Sequence, residues 1–315
     1  MRPARILAAI VGCLILAGCL LITFSAFFNP VQQVFVLAAP LAPWAIIGYI
    51  LAGLLLFVGR APRWLSIAVG LIAVAGLIVH VTWIAPSFRA PSPTPDANLR
   101  VVQLNTNRGQ ADPLEVRALL AKTKPDVFVM AEATPDFLKE INANGAVGPG
   151  GIVAEYAEVP PGQMLGVVTY SRFPITFEDS TTVSDGAYSF KVHAPSPFNL
   201  IALHTAEPLV AYENYRRDYA NLLPMVKEGH RPLLVVGDLN ATVDSLPVKQ
   251  LAELGLRDAA TEAGSGWQPT WPSGLGLLTL DHVMFSDGFA VARTSTVQVP
   301  GSDHLALIVD LKGPA

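Results

Sequence analysis

The first 85 residues hardly alternate between apolar and polar positions, because they contain three long apolar stretches. None of these stretches contains a charged side chain. They cover residues 6–28, 34–58 and 64–85, and each is close to the ~20 residues that a helix needs to cross a bilayer. The pattern therefore predicts three transmembrane helices. Pro40 and Pro43 should kink or shorten the second one, and His80 should reach the membrane interface near the end of the third.

After residue 85 the pattern changes twice. Residues 86–98 contain Pro86, Pro91, Pro93 and Pro95, a composition that predicts a stiff, extended linker and not a folded element. From residue 99 onward, short apolar runs alternate with segments of helical periodicity, which is typical of a globular domain. We therefore predict a membrane domain over residues 1–85, a linker over 86–98 and a soluble domain over 99–315.

The soluble domain is predicted to contain more strands than helices. A capping box, Asp112-Pro113-Leu114-Glu115, begins a helix that should end near Lys122, and further helices are predicted over 210–227 and 246–254. Strands are predicted over 100–104, 127–131, 165–170, 188–192, 200–204, 233–238, 280–285, 290–297 and 305–311. This order predicts an α/β fold in which two packed sheets are flanked by helices.

The arginines of the membrane part predict its orientation. Arg2 and Arg5 precede the first span, Arg60 and Arg63 lie between the second and third, and the 29–33 connection is uncharged. Because Lys and Arg next to membrane spans are retained on the cytoplasmic side, we expect a cytoplasmic N-terminus. Three spans then place the soluble domain outside the cytoplasm, in a multi-pass protein of the plasma (inner) membrane.

The two cysteines, Cys13 and Cys19, both lie in the first apolar stretch. Leu16-Ala17-Gly18-Cys19 has the small-residue pattern of a bacterial lipoprotein processing site, so lipidation of Cys19 is an alternative. An intact span is favoured because the chain stays apolar through Phe28, whereas processed segments usually become polar. The soluble domain has no cysteine and therefore no disulfide and no thiolate metal site.

Polar side chains recur where the predicted strands of the soluble domain begin or end. Such residues are unlike scattered surface positions, and they predict one site assembled from several loops. The residues are Asn105, Asn107, Glu132, His204, Asp238, Asn240, Asp281, His282 and Ser302-Asp303-His304.

In this order the motifs resemble the endonuclease/exonuclease/phosphatase superfamily, the DNase I-like metal-dependent phosphoesterases, in a membrane-anchored bacterial form. The resemblance covers residues 99–311 and implies a four-layer α/β sandwich with its site at the sheet edges. It rests on Gln103-Leu104-Asn105, Met130-Ala131-Glu132, Tyr170-Ser171-Arg172-Phe173-Pro174, Leu203-His204, Gly237-Asp238-Leu239-Asn240, Thr270-Trp271, Leu280-Asp281-His282 and Ser302-Asp303-His304.

The resemblance also implies metal ligands. Glu132 would be the principal ligand of Mg²⁺ or Mn²⁺, with Asn105 helping through its amide oxygen, because hard cations prefer oxygen donors. Asp303 would lie beside the metal. Asn107 is a weaker candidate, since some relatives have an acid at that position.

The remaining roles concern water and phosphate. Asp238 would be the base and Asn240 would help to position the attacking water, while Asp281 would orient His304 toward the phosphate. His204 would contact the other side of the phosphate. Weaker candidates for meeting an anionic substrate are Arg172 and Arg217, and His282 is expected to be a packing residue.

Charge bears on the substrate. The part after Pro86 has 17 basic and 25 acidic residues, a formal net charge of −8, whereas nucleases normally present a basic surface. The predicted activity is therefore hydrolysis of a phosphate ester near the membrane, such as a lipid or glycolipid phosphate or a small phosphoester. An extracytoplasmic nuclease and a non-catalytic binding domain of the same fold are the alternatives. The sequence leaves the oligomeric state open.

Overall fold

The computed structural model describes residues 3–59, 63–91, 94–142, 154–157 and 166–314. The chain divides into two compact units, one over Met1–Pro86 and Asp244–Leu246 and the other over Ser87–Val243 and Pro247–Ala315. The two units are described separately.

The first unit contains the three apolar helices that the sequence predicts, and each is long and apolar enough to cross a membrane. They are α1 (Pro3–Phe28), a second helix composed of α2 (Gln33–Ala38) and α3 (Ala42–Gly59), and α4 (Arg63–Ile84). A 3-10 turn over Ala39–Leu41 separates α2 from α3 and contains Pro40. The predicted distortion of the second helix by proline is confirmed.

His80 does not reach the interface as predicted, because it is buried among the helices with 1% of its surface exposed. Its Nε2 lies 2.8 Å from Oγ1 of Thr23 on α1, and the same Oγ1 lies 2.7 Å from the hydroxyl of Tyr49 on α3. Polar side chains in an apolar bundle pair with one another because lipid offers no hydrogen-bonding partner. This cluster therefore joins α1, α3 and α4.

The second unit is built from strands and five helices in its described part. The helices are α5 (Pro113–Thr123), α6 (Pro135–Asn142), α7 (Tyr212–Glu228), α8 (Leu246–Glu253) and α9 (Ala259–Glu262). The strands are β1 (Leu99–Asn105), β2 (Val127–Ala133), β3 (Ala154–Ala157), β4 (Gly166–Ser171), β5 (Ile175–Thr181), β6 (Ala187–Val192), β7 (Phe198–His204), β8 (Leu233–Asp238), β9 (Arg257–Asp258), β10 (Asp281–Phe285), β11 (Ala290–Gln298) and β12 (Leu305–Lys312).

The strands form two six-stranded mixed sheets, with orders β11-β12-β1-β2-β4-β3 and β5-β6-β7-β8-β10-β9. Their inner faces share one core, to which Val101 and Val129 of the first sheet and Val236 and Phe285 of the second contribute. The outer face of the first sheet packs against α5 and α6. Central strands buried on both faces explain the continuous apolar runs in the sequence. The predicted α/β sandwich is confirmed.

The strand directions bring several strand ends to one edge. β1 pairs with β2, and β7 pairs with β8, in parallel, so the strands of each pair end at the same edge. Asn105 at the end of β1 contacts Asp238 at the end of β8, so these two edges meet. Antiparallel pairing of β10 with β8 places Asp281 directly opposite Asp238. Residues that follow or begin these strands therefore meet, although they are up to 197 positions apart in the chain.

Some elements escaped the sequence analysis. β5 is an exposed edge strand without apolar alternation, and α6 and the short β3, β9 and α9 were also not predicted. The predicted first residue of the strand at 165–170 lies outside the described residues. The linker prediction needs correction at its start, because Ala85–Phe88 forms a 3-10 turn and the Ser87 carbonyl accepts a 2.8 Å hydrogen bond from the Gly266 N–H.

Candidate active site

Asn105 joins two acids at the end of β1. Its Nδ2 donates to Glu132 Oε1 at 3.0 Å and to Asp238 Oδ2 at 2.9 Å. Its Oδ1 accepts from the Asn107 N–H at 2.9 Å. Asn105 therefore bridges the two carboxylates through its nitrogen, and its predicted role as a metal ligand through the amide oxygen stays a prediction.

Glu132 lies in the left-handed region of backbone conformation, with φ of 57°, at a bulge where the pairing of β2 with β4 shifts. A residue with a Cβ adopts this conformation at a cost of about 1 to 3 kcal/mol, so such residues often mark functional positions. The bulge turns the carboxylate toward the end of β1, where Oε2 accepts from the Arg108 N–H at 2.9 Å.

Asp238 and Asn240 are held by a tight turn at the end of β8. The Asp238 Oδ1 accepts from the Asn240 N–H at 2.9 Å, and Asn240 has φ of 46°. Burial raises the pKa of Asp238, and the nearby Asp281 raises it further, while the histidines lower it. Gly237 is required because a Cβ there would collide with the carbonyl of Leu203 on the parallel neighbour β7.

His304 and Asp281 form a buried pair, as the sequence predicted they would. His304 Nδ1 lies 2.7 Å from Asp281 Oδ2, and His304 Nε2 lies 3.7 Å from Asp238 Oδ2. Burial opposes the charged imidazole, but Asp281 and Asp238 outweigh it and raise the pKa of His304 to about 10. His304 is therefore an imidazolium at neutral pH, and its Nε2–H is a charged donor beside Asp238.

His204 ends β7 and brings a second imidazole to the site. Its Nε2 lies 3.7 Å from Asp238 Oδ2 and 3.9 Å from Glu132 Oε1. Its Nδ1 lies 3.3 Å from Oδ2 of Asp185, a residue that the sequence analysis did not select. Burial raises the pKa of Asp185, and the charge of His204 acts in the opposite direction.

Hydroxyl groups that the sequence analysis also did not assign fix the loops around these residues. Ser302 Oγ donates to the Asn105 carbonyl at 2.7 Å and accepts from the His304 N–H at 3.0 Å. Thr270 Oγ1 accepts from the N–H groups of Leu280 and Asp281 at 2.9 and 3.1 Å. Thr270 and Ser302 both belong to motifs that carried the family resemblance, so their presence there was the available signal.

Not every predicted residue meets this cluster. Arg172 directly follows Ser171, the last residue of β4, and Ser171 pairs with Val127, the first residue of β2. Glu132 lies near the other end of β2, so Arg172 is at the opposite edge of the sheet. There it pairs with Asp126 at 3.1 Å, so it does not join the cluster, and its predicted contact with substrate stays a prediction. Arg217 is exposed on α7 and donates to Asn214 at 2.9 Å on the same helix.

Asn107 and Asp303 lie beside the cluster but face other groups. Asn107 has φ of 51° and donates from Nδ2 to the Gly301 carbonyl at 3.2 Å. Asp303 is exposed, and its Oδ2 accepts from Trp271 Nε1 at 3.4 Å. The predicted roles of both residues beside a metal stay predictions.

His282 is fully buried next to the site, where both of its ring nitrogens face acceptors. Nδ1 lies 2.8 Å from Asp258 Oδ2, and Nε2 lies 2.9 Å from the Ala241 carbonyl oxygen. Two acceptors require both nitrogens to carry protons. Burial opposes this charge, but Asp258 outweighs it and raises the pKa of His282. In turn, burial acts to raise the pKa of Asp258, and His282 lowers it overall.

We expect the His282→Asn variant to be less stable than the wild type in a pH-dependent way. Because the pKa of His282 is higher in the folded protein than its ordinary value of 6.5, the charged imidazole stabilises the fold fully at pH values below 6.5. This stabilisation is lost as the pH rises through the pKa of His282 in the folded protein. The lowered pKa of Asp258 adds stability above its ordinary value of 3.8, which is lost as pH falls through the folded value. The difference in Tm should therefore shrink toward both extremes of pH.

Thermal unfolding of both proteins across this pH range checks the prediction. His193→Asn is the matched control because His193 is exposed, and its Nε2 lies 2.8 Å from Thr176 Oγ1 at the surface. A Tm difference for His282→Asn that stays constant with pH would contradict the charged state assigned to His282.

Among the residues that the structure describes, two groupings of donors could hold a divalent cation. Ligand atoms of Asp238, Asp281 and His304 lie within 4.8 Å of one another, but His304 is charged and its Nδ1 is held by Asp281. The other grouping is Glu132 with Asp238, whose carboxylates both contact Asn105 Nδ2. Carboxylate oxygens suit Mg²⁺ and Mn²⁺, so the second grouping fits such an ion better.

Two helix-flanked sheets with carboxylates, amides and imidazoles at one edge define a hydrolase of phosphoric esters. Residues 102–304 match the Endonuclease/Exonuclease/phosphatase family, so the chain belongs to that family, whose members are phosphoester hydrolases. No curated protein matches the chain.

Solved structures show the same fold. An endonuclease/exonuclease/phosphatase from Beutenbergia cavernae DSM 12333 is 19% identical, with a TM-score of 0.52 and coverage of 70% of this chain and 72% of that one. A 3′ phosphatase from Neisseria bound to a product DNA hairpin is 16% identical, with a TM-score of 0.55 and coverage of 68% of this chain and 100% of that one. A mannosyl-6-phosphatase from Bacteroides thetaiotaomicron VPI-5482 is 16% identical, with a TM-score of 0.51 and coverage of 68% of this chain and 100% of that one.

Proposed function

We propose that this protein is a membrane-anchored phosphoesterase that depends on a divalent metal and acts at the extracytoplasmic face. The observation that carries the proposal is the meeting of Glu132, His204, Asp238 and His304 at one edge of the sandwich. Carboxylates beside two imidazoles supply a base, hydrogen-bond donors and cation ligands within one cluster. Hydrolysis of a phosphate ester needs these groups and little else.

Asp238 is the proposed base. Its buried carboxylate would accept a proton from the attacking water, and the raised pKa from burial makes it a better proton acceptor than an exposed acid. The Asn240 amide, fixed by donation to the Thr205 carbonyl at 2.8 Å, would help to position that water.

The imidazoles would bind the phosphate. His304 would donate from Nε2 to a phosphate oxygen, because its Nδ1 is held by Asp281. His204 would contact the phosphate from its own side through Nε2. Glu132 would be the principal ligand of Mg²⁺ or Mn²⁺, which when bound neutralises negative charge that develops on the phosphate oxygens.

The substrate is proposed to be a phosphate ester in or near the membrane, either a lipid or glycolipid phosphate or a small phosphoester. The net charge of −8 after Pro86 disfavours the extended phosphate contacts on which nucleic-acid binding depends. Three helices able to span a bilayer favour a substrate that is found there.

Hydrolysis of bis(p-nitrophenyl) phosphate by the purified full chain tests the catalytic part of this proposal. Activity should require Mg²⁺ or Mn²⁺, disappear with EDTA and return when the metal is restored. Lipid phosphates in vesicles and a supercoiled plasmid are then offered as competing substrates. Faster cleavage of the plasmid would favour the nuclease alternative, and no hydrolysis of any phosphoester with either metal would favour the non-catalytic one.

The proposed orientation has a separate test. Alkaline phosphatase fused after Ala315 should be active in cells, because that enzyme folds only outside the cytoplasm, and a fusion in the 60–63 connection should be inactive. The opposite result would place the catalytic domain in the cytoplasm. Arg60 and Arg63, which lie at the two ends of that connection, support the expected result.

A further inference from the structure

Asp185 lies in the turn between β5 and β6, where its Oδ2 is 3.3 Å from Nδ1 of His204. The His204 side chain is 5% exposed and that of Asp185 is 26% exposed, so the pair is largely withdrawn from water. In such a setting a carboxylate interacts with an imidazole more strongly than at the surface. The two groups are within ion-pair distance but lack hydrogen-bond geometry, unlike the 2.7 Å hydrogen bond between Asp281 and His304.

The turn that carries Asp185 is fixed on both sides. The Gly186 carbonyl accepts from the His204 N–H at 3.0 Å, and Gly186 has φ of 114°, a conformation that other residues rarely adopt. On the other side, Ser184 donates from both N–H and Oγ to Asp218 Oδ1 at 3.1 Å. The position of Asp185 is therefore determined independently of its own contact.

Asp218 connects this turn to the chain that follows His204. It is completely buried on α7, and its Oδ2 accepts from the Ala206 N–H at 2.8 Å. One carboxylate thus holds the residue before Asp185 and the residue two places after His204. This arrangement fixes the position of the Asp185 carboxylate relative to the His204 imidazole.

We propose that Asp185 is a positioning residue that sets the tautomer and ring orientation of His204 and so presents its Nε2 to the substrate phosphate. The inference rests on the proposed function, since it gives His204 a part in phosphate binding. A carboxylate beside Nδ1 favours a proton on that nitrogen and restricts the rotation of the ring. Nε2 is then directed toward the space beside Asp238 and Glu132, at 3.7 and 3.9 Å.

The kinetics of full-length Asp185→Asn, Asp185→Glu and His204→Ala test this inference. Asp185→Asn should lower kcat about 10- to 100-fold, as loss of supporting carboxylates does elsewhere, with little change in KM or Tm. Asp185→Glu should recover part of the loss because it restores the charge. Asp179→Asn is the matched control, since Asp179 is exposed on β5 and accepts from the Ser180 N–H at 2.8 Å.

The double variant Asp185→Asn/His204→Ala separates positioning from a general structural role. If Asp185 acts through His204, adding Asp185→Asn to His204→Ala should cause no further loss of kcat. Losses that multiply, or a wild-type kcat for Asp185→Asn, would overturn the inference while leaving the proposed function intact. An inactive wild type would instead overturn the proposed function.

Discussion

Replacing Asp238 by alanine is expected to lower kcat for phosphoester hydrolysis by about 10³- to 10⁴-fold, the order of loss seen when a catalytic carboxylate is removed. The carboxylate is 1% exposed, accepts from Asn105 and lies 3.7 Å from Nε2 of both histidines. Alanine removes the base and leaves the charge of His304 without one of its two carboxylates. Steady-state hydrolysis of bis(p-nitrophenyl) phosphate by the full chain measures the effect.

Asp287→Ala is the control for this prediction, because that carboxylate is fully exposed and meets Arg257 only at 3.6 Å. It should hydrolyse the substrate at the wild-type rate. The role assigned to Asp238 is refuted by an alanine variant that keeps more than about a tenth of kcat, since a base should contribute at least 10²-fold.

Glu132→Gln should produce the second large effect, which is a loss of metal affinity. Glutamine keeps the shape of the side chain but removes the negative charge, and its single oxygen can accept from only one of the Asn105 and Arg108 donors. Changes to groups that only support a ligand cost about 10- to 100-fold in metal affinity, so loss of the carboxylate itself should cost about 100-fold or more. Hydrolysis rates measured across a Mg²⁺ titration report the shift.

Glu140→Gln provides the comparison for Glu132→Gln, since Glu140 is exposed on α6. Its Mg²⁺ dependence should equal that of the wild type. An unchanged Mg²⁺ dependence in Glu132→Gln would remove Glu132 from the metal site. In that case the grouping of Asp238, Asp281 and His304 would become the stronger candidate for the ion.

Much of the fold could be predicted because its central strands are buried on both faces. Runs such as the one over β8 are continuous and apolar, and they stop at polar residues that carry the chemistry. The edge strand β5 escaped prediction for the opposite reason, since it is largely exposed and its apolar residues stop at Phe177, which leaves only a short signal. His80 was misplaced because a sequence pattern does not indicate that Thr23 and Tyr49 lie on the adjacent helices.

The site was predicted less completely than the fold. Motifs at the strand ends selected Asp238, His304 and Glu132, but the orientation of the Asn105 amide depends on contacts that only the folded chain provides. Asp185 lies in a turn without a recognised motif, and only the pairing of β6 with β7 brings it to His204. Arg172 belonged to a motif, yet that motif ends at the other edge of the sheet.

The backbone of Glu132 and Asn240 has a consequence for protein engineering. Both residues are in the left-handed region, and Glu132 shares one amide donor with a second carboxylate. A neutral side chain at position 132 would relieve the charge repulsion, and glycine there would relieve the backbone strain, so both should be enriched when a variant library is selected for heat resistance alone. Such a selection would yield proteins of higher Tm that no longer hydrolyse phosphoesters. It should therefore be coupled to an activity screen from the first round.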